Sequence, residues 1–207
     1  MKNIGIVINP KRASRSHDTL NELRNLAQKN SVDLFMYQKD IAEILGAKYI
    51  PYDDFIKSMN IVFAMGGDGT VLYAATKLIG TGIPVLGINL GSLGFLAGVG
   101  EYELEHAFKR ILNKDYVILD RDIGLLSAHS KNVDQENIPF LNDIVIGWGS
   151  SSRINTLELE VDSESVGIFT CDGMIVSTPT GSTGHSLSNG GPIMHPNIQG
   201  FGISVIC

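Results

Sequence analysis

Five residues, Gly66-Gly67-Asp68-Gly69-Thr70, follow directly on the apolar run Ile61–Met65. An apolar run of that length ended by glycines reads as a buried strand, and a helix is expected from about Thr70 to Ile79. A strand that turns through glycines into a helix is the repeating unit of an α/β sheet. The glycines let the backbone approach a ligand closely, and N–H groups at a helix start suit phosphate oxygens. Gly66, Gly67, Gly69 and Thr70 are therefore candidate phosphate-binding residues. Asp68 needs its own explanation, because a carboxylate repels phosphate. It holds a charge-neutralising metal, or takes a proton from an attacking hydroxyl, or simply caps the helix.

The rest of the first hundred residues repeats that texture. Ile4–Ile8, Val32–Tyr37 and Pro84–Ile88 read as further strands, and Leu20, Leu23, Leu26 and Ala27 recur on one side of a helix. The expected fold is an α/β N-terminal domain, residues 1–100, with an open and largely parallel sheet. Ligands in such sheets sit outside the carboxyl ends of the strands, where Asp68 falls. A second glycine turn, Gly91-Ser92-Leu93-Gly94-Phe95, should lie on the same rim. Read alone, Phe95 is a core residue before it is a pocket wall. Glu103–Leu112 is one more helix. Beyond it, Tyr116–Ala128, Phe140–Ile146, Thr156–Val161, Gly167–Cys171 and Met174–Ser177 read as short strands. A β-rich C-terminal domain, residues 101–207, is expected, making the chain α+β overall.

Composition narrows the partners. The 207 residues carry a formal net charge of −6, so bulk attraction to nucleic acid or an anionic membrane is not expected. Cys171 and Cys207 make no disulfide framework, and no apolar stretch reaches the length of a membrane span. A cytoplasmic, soluble protein is expected.

Two polar features stand out in the β-rich half. Asn142-Asp143 sits between Leu141 and Ile144, a combination that suits a ribose diol, although read alone it is a β-bulge or strand-end turn before it is a ligand contact. Arg153, the only Lys or Arg after Lys131, pairs with a phosphate or is a solvated charge. The densest feature runs from Thr178 to Pro192, with six hydroxyls and four glycines, preceded by Asp172-Gly173. Hydroxyls and free N–H groups in this number suit a ligand rich in oxygens. His185 within it reads as a ligand contact before a proton carrier.

Gly66–Thr70, Asn142-Asp143 and the Thr-Pro-Thr-Gly-Ser-Thr segment ending in Gly191-Pro192 stand in the order found in NAD kinases, and the chain resembles that family along its whole length. Gly-Gly-Asp-Gly alone is shared with diacylglycerol, sphingosine and phosphofructo-kinases; the Thr178–Pro192 segment is far more specific. The resemblance implies transfer of the γ-phosphoryl of ATP, or of polyphosphate, to the 2′-hydroxyl of the adenosine ribose of NAD. Asp68 would accept the proton, with Gly69 lining the NAD site and Phe95 against the adenine. Asn142, Asp143, Arg153, Asp172, Thr183, Gly184, His185, Ser186, Leu187 and Ser188 would contact NAD, Asp172 from a neighbouring subunit. A divalent ion, Mg²⁺ first, and a homodimer or homotetramer are also implied.

The family usually has Ala-Tyr where this chain has Gly184-His185. Its members continue past the position of Cys207 with Pro-His-Thr-Leu and more strands, so the resemblance implies a β domain cut within the strand Gly202–Ile206. Two other readings accompany it. One is a lipid or sugar kinase sharing only the glycine loop, and the other a nucleotide-binding protein without catalysis.

Overall fold

The computed structural model describes residues 2–9, 17–91, 94–147 and 154–207. It divides into two compact units, Met1–Leu119 and Asp120–Cys207.

The first unit is built on six parallel strands: β1 (Asn3–Ile8), β2 (Asp33–Met36), β3 (Lys48–Tyr49), β4 (Ile61–Gly66), β5 (Val85–Asn89) and β6 (Val99–Gly100). Their order across the sheet is β3-β2-β1-β4-β5-β6. The helices are α1 (His17–Lys29), α2 (Lys39–Leu45), α3 (Tyr52–Ser58), α4 (Asp68–Lys77) and α5 (Leu104–Leu112). Strand side chains alternate between faces, and the two faces are covered differently. Ile4, Ile6 and Ile8 of β1 and Phe63 of β4 pack with α1, α2 and α5 through Leu23, Ala42 and Phe108. Val7, Val62 and Ala64 pack on the other face with Phe55 of α3 and Val71 and Ala74 of α4.

The winding therefore reverses between β1 and β4. The crossover from β1 to β2 runs over one face, and that from β4 to β5 over the other. Such a reversal leaves a crevice at the carboxyl ends of the two strands.

The sequence reading passes over α2, β3 and α3. Each is seven residues or fewer, too short for a periodic pattern to separate helix from strand. It also divides the chain near residue 100, whereas the packing places the division after Leu119. The reason is α5, whose Leu104, Phe108 and Ile111 are buried in the first unit's core.

The second unit is antiparallel. β7 (Gly124–His129) pairs with β8 (Asp134–Phe140), and β10 (Asn155–Val161) with β11 (Glu164–Cys171). A three-stranded sheet runs β13-β12-β9, from β13 (Gly202–Ile206), β12 (Gly173–Ser177) and β9 (Asp143–Ile146). The expected strand at Tyr116 begins only at Gly124. Val117 is 84% exposed and Leu119 64%, and β-prone residues without a pairing partner stay irregular. The run expected at Phe140–Ile146 is two strands, parted by a turn at residues 141–142. An open parallel sheet followed by a β-rich unit is the fold class expected from the sequence.

Candidate functional site

In the first unit the glycine turn stands at the winding reversal. Gly66 ends β4, and a side chain there would run into Thr70, which is buried beneath it. Gly67 is the N-cap of α4 and offers no side-chain cap bond. Asp68 does not cap the helix either. Its carboxylate turns across to the second glycine turn, where Oδ2 accepts from the N–H of Phe95 at 2.8 Å. Oδ1 accepts from the N–H groups of Leu96 at 2.9 Å and Ala97 at 3.2 Å. An ionised carboxylate has about four acceptor positions, so among the described residues this clamp leaves one open, on Oδ2.

The clamp explains Gly94, which sequence reasoning noticed only as part of a turn. A β-carbon on Gly94 would fall on the Asp68 carboxylate. It also corrects the core reading of Phe95. With its N–H committed to Asp68, the ring is left 63% exposed.

Beside the turn lies a cavity of about 530 Å³, lined by Ile8, Asn9, Gln38, Gly67, Gly69, Thr70 and Tyr73. Pockets of this size take small ligands. Gly67 and Gly69 are informative because the chain itself does not require glycine there. Neither has a positive φ, and a β-carbon on either would meet nothing within 4 Å. The space they leave belongs to the cavity. Gln38 and Tyr73 have no sequence signature; the topology alone brings them there.

In the second unit, Asn142 lies in the turn before β9 and Asp143 opens that strand, opposite Ser177 at the end of β12. Pairing here is regular, so the bulge reading of Asn142-Asp143 does not hold and the strand-end reading does. Because Ser177 leads straight into Thr178–Pro192, that segment folds over the pair. Thr178 donates through its N–H to the Asn142 carbonyl at 2.8 Å and through Oγ1 to the Leu141 carbonyl at 2.5 Å. Gly181 passes so close that a β-carbon would overlap the Asn142 backbone. His185 Nδ1 stands 3.8 Å from Asp143 Oδ1, with the imidazole 74% exposed. The Asn142 Oδ1 and Asp143 Oδ2 atoms are buried without a hydrogen-bond partner among the described residues. Each such orphan typically costs about 1–3 kcal/mol. Two unpaired acceptors on neighbouring residues suit two hydroxyl donors, which is the ribose diol argument made from sequence.

The hydroxyls of the loop serve a different end from the one expected. Ser182 Oγ donates to the Pro179 carbonyl at 2.6 Å and accepts from the Met194 N–H at 3.0 Å. Thr183 Oγ1 reaches the Thr180 carbonyl at 3.3 Å, and Ser186 Oγ lies 3.1 Å from Ser204 Oγ, buried. They shape the loop rather than face outward. Its short helix α6 (His185–Ser188) leaves His185, Leu187 and Ser188 exposed and turns Ser186 inward. Asp172 sits at the other end of β12, five residues before Ser177, roughly 17 Å away at strand rise. The chain does not bring it to the Asn142-Asp143 pair. Arg153 lies outside the described residues.

Gly181→Ala is expected to overpack the Asn142 turn, at a typical cost of about 1–3 kcal/mol. Calorimetry should show a melting temperature lowered by several degrees, and an unchanged melt would mean that the close approach is not enforced.

A doubly wound α/β unit with a glycine turn at its winding reversal, joined to an antiparallel unit with a polar strand-end pair, defines a narrow class. Residues 4–116 match a family profile described as the ATP-NAD kinase N-terminal domain, and residues 141–207 one described as the ATP-NAD kinase C-terminal domain. The chain belongs to the ATP-NAD kinase family.

An NAD kinase of Syntrophotalea carbinolica is 32% identical over 212 aligned residues, covering 100% of this chain and 73% of the relative. One from Geotalea daltonii is 43% identical over 155 residues, 75% of this chain and 55% of the relative. Among solved structures, yeast NADH kinase complexed with NADH superposes with a TM-score of 0.83 at 26% identity, covering 100% of this chain and 66% of that one. An NAD kinase from Archaeoglobus fulgidus in complex with ATP gives 0.71 at 25% identity, covering 99% and 72%. The chain spans about half the length of the Geotalea daltonii relative, 55%, and of an NAD kinase from Nitratidesulfovibrio vulgaris, 52%. No helix among the described residues is long and apolar enough to cross a membrane.

Proposed function

We propose that this chain carries the phosphoryl-transfer machinery of an NAD kinase, with NAD as acceptor, ATP or polyphosphate as donor and NADP as product. The observation that supports it most is the Asp68 clamp. Among the described residues, three N–H groups hold the carboxylate in one orientation and leave one acceptor position on Oδ2. A 2′-hydroxyl of the adenosine ribose bonded there would lose its proton to Asp68 as it attacks the γ-phosphorus. The exposed Phe95 ring, tied to the same clamp, would lie against the adenine. The donor's phosphates would approach Gly67 and Gly69, where the chain leaves room and the first N–H groups of α4 point outward. Asn142 and Asp143 would bind a ribose diol of NAD through their orphaned oxygens, with Gly184, His185, Leu187 and Ser188 completing that contact.

Among the described residues no three His, Cys, Asp or Glu side chains gather into a metal site. A divalent ion such as Mg²⁺, held by the donor's phosphates as it often is, would neutralise charge on the transferring group. The remaining work is positioning by the chain. A cytoplasmic homo-oligomer, in which Asp172 of one subunit reaches NAD on another, is part of the same reading. The polar strand-end pair favours a ribose over the greasy acceptor of a lipid kinase.

Incubation with ATP, Mg²⁺ and NAD, followed by an NADP-specific dehydrogenase readout, tests the proposal. NADP that appears only with intact Asp68 supports it. Measurable NAD binding with no NADP at any metal concentration would select the non-catalytic reading instead.

A further inference from the structure

The segment that follows β12 lies across its own sheet. In the order β13-β12-β9, β13 and β9 are two strand spacings apart, about 10 Å. Two neighbouring residues of α6 reach one of these strands each. His185 Nδ1 stands 3.8 Å from Asp143 Oδ1 at the start of β9. Ser186 Oγ lies 3.1 Å from Ser204 Oγ in β13.

A helix of four residues has no stability of its own, since isolated helices shorter than about 12–15 residues are marginal in water. Its rotation is set by what anchors it, and three contacts do so on the β13 side. Ser186 and Ser204 are both buried and partner each other. Asn189, just past the helix, donates through Nδ2 to the Val205 carbonyl at 2.9 Å. Gly191 closes over the pair: its N–H donates to the Ser186 carbonyl at 2.8 Å, and a β-carbon there would fall on both hydroxyls. Ser204 is the one hydroxyl in the otherwise apolar strand Gly202–Ile206. A valine would suit a strand better, and a buried hydroxyl costs stability unless it is bonded. What a serine supplies at this position is the bond to Ser186. The His185 imidazole, 74% exposed, is placed by the helix that carries it.

We propose that Ser204 is a positioning residue for the acceptor site: through Ser186 it fixes the rotation of α6 and so holds the His185 imidazole beside Asp143. This rests on the reading above, in which Asn142, Asp143 and His185 contact NAD. Ser204 itself touches no substrate.

Two variants of the chain test this. Ser204→Ala leaves the Ser186 hydroxyl buried without its partner. Ser186→Ala combined with Ser204→Ala removes both hydroxyls, a change that can be nearly neutral for stability. The single variant should melt several degrees below the wild type, and the double variant close to it. Both should nonetheless raise KM for NAD about tenfold, within the reach of one hydrogen bond. Both should keep kcat within about twofold, as loss of uniform binding does. With no nucleotide present, the His185 ring signals in proton–carbon NMR spectra should move in both variants, while those of His106 and His129 stay. A KM for NAD that recovers with the melting temperature in the double variant would overturn the proposal, because the pair would then act on stability alone. So would unmoved His185 signals. Moved His185 signals in a chain whose wild type binds no NAD would count against the acceptor reading and leave the anchoring of α6 standing. NADP formation with unmoved His185 signals would count against the anchoring alone.

Discussion

Replacing Asp68 by Asn is expected to lower NADP formation by at least about 100-fold, the lower end of what a general base contributes, while NAD still binds. The structure adds a second consequence. Asn keeps one acceptor oxygen, which can hold the N–H groups of Leu96 and Ala97, but sets an amide NH₂ against the N–H of Phe95. One hydrogen bond is lost and one N–H is left facing a donor, at a typical cost of about 1–3 kcal/mol. The variant should therefore melt a few degrees lower and bind NAD somewhat more weakly, since Phe95 loosens with the clamp. Turnover must be measured well below the new melting temperature and at saturating NAD. Under those conditions a loss confined to KM would make Asp68 a positioning residue only, and near-normal kcat would remove it from proton transfer.

Gly69→Val should produce the opposite pairing of effects. A side chain at Gly69 meets nothing within 4 Å in the chain, and the residue has no positive φ to protect. Valine is a slightly better helix residue than glycine, so thermal stability should hold or rise. The added carbons project into the space where the donor's phosphates would lie. Displacing a reacting group by about 1 Å can cost on the order of 100-fold, and kcat/KM should fall by about that much. A stable variant with unimpaired kinetics would mean that phosphates do not approach this turn. Gly181→Ala fails for the contrasting reason, because there the neighbour is the chain's own backbone at Asn142. The two glycines look alike in sequence, and only their surroundings separate a ligand's space from a folding constraint.

The long elements were legible because burial writes itself into periodicity. β1 and β4 are continuous apolar runs since both their faces are covered, and α1 shows its buried Leu20, Leu23 and Ala27 at helical spacing. The short α2 and α3 were not legible, since a helix of seven residues shows too few turns to reveal a stripe. β8 was missed for another reason: Asp134-Gln135-Glu136-Asn137 reads as loop, and only pairing with β7 makes it a strand.

The candidate site divides along the same line. Its residue types were set locally, because a glycine turn after a buried strand and a polar pair beside a hydroxyl-rich loop are patterns of neighbours in the chain. What each residue does depends on partners distant in sequence. Asp68 finds Phe95–Ala97 twenty-seven residues or more away, Asn142 meets Thr178 and Gly181, and Gln38 reaches the cavity only because the sheet sets β2 beside β1. Local chemistry is written in order along a chain. Hydrogen bonds and cavities are formed by whatever the fold brings within a few ångströms, and that follows from strand order and packing.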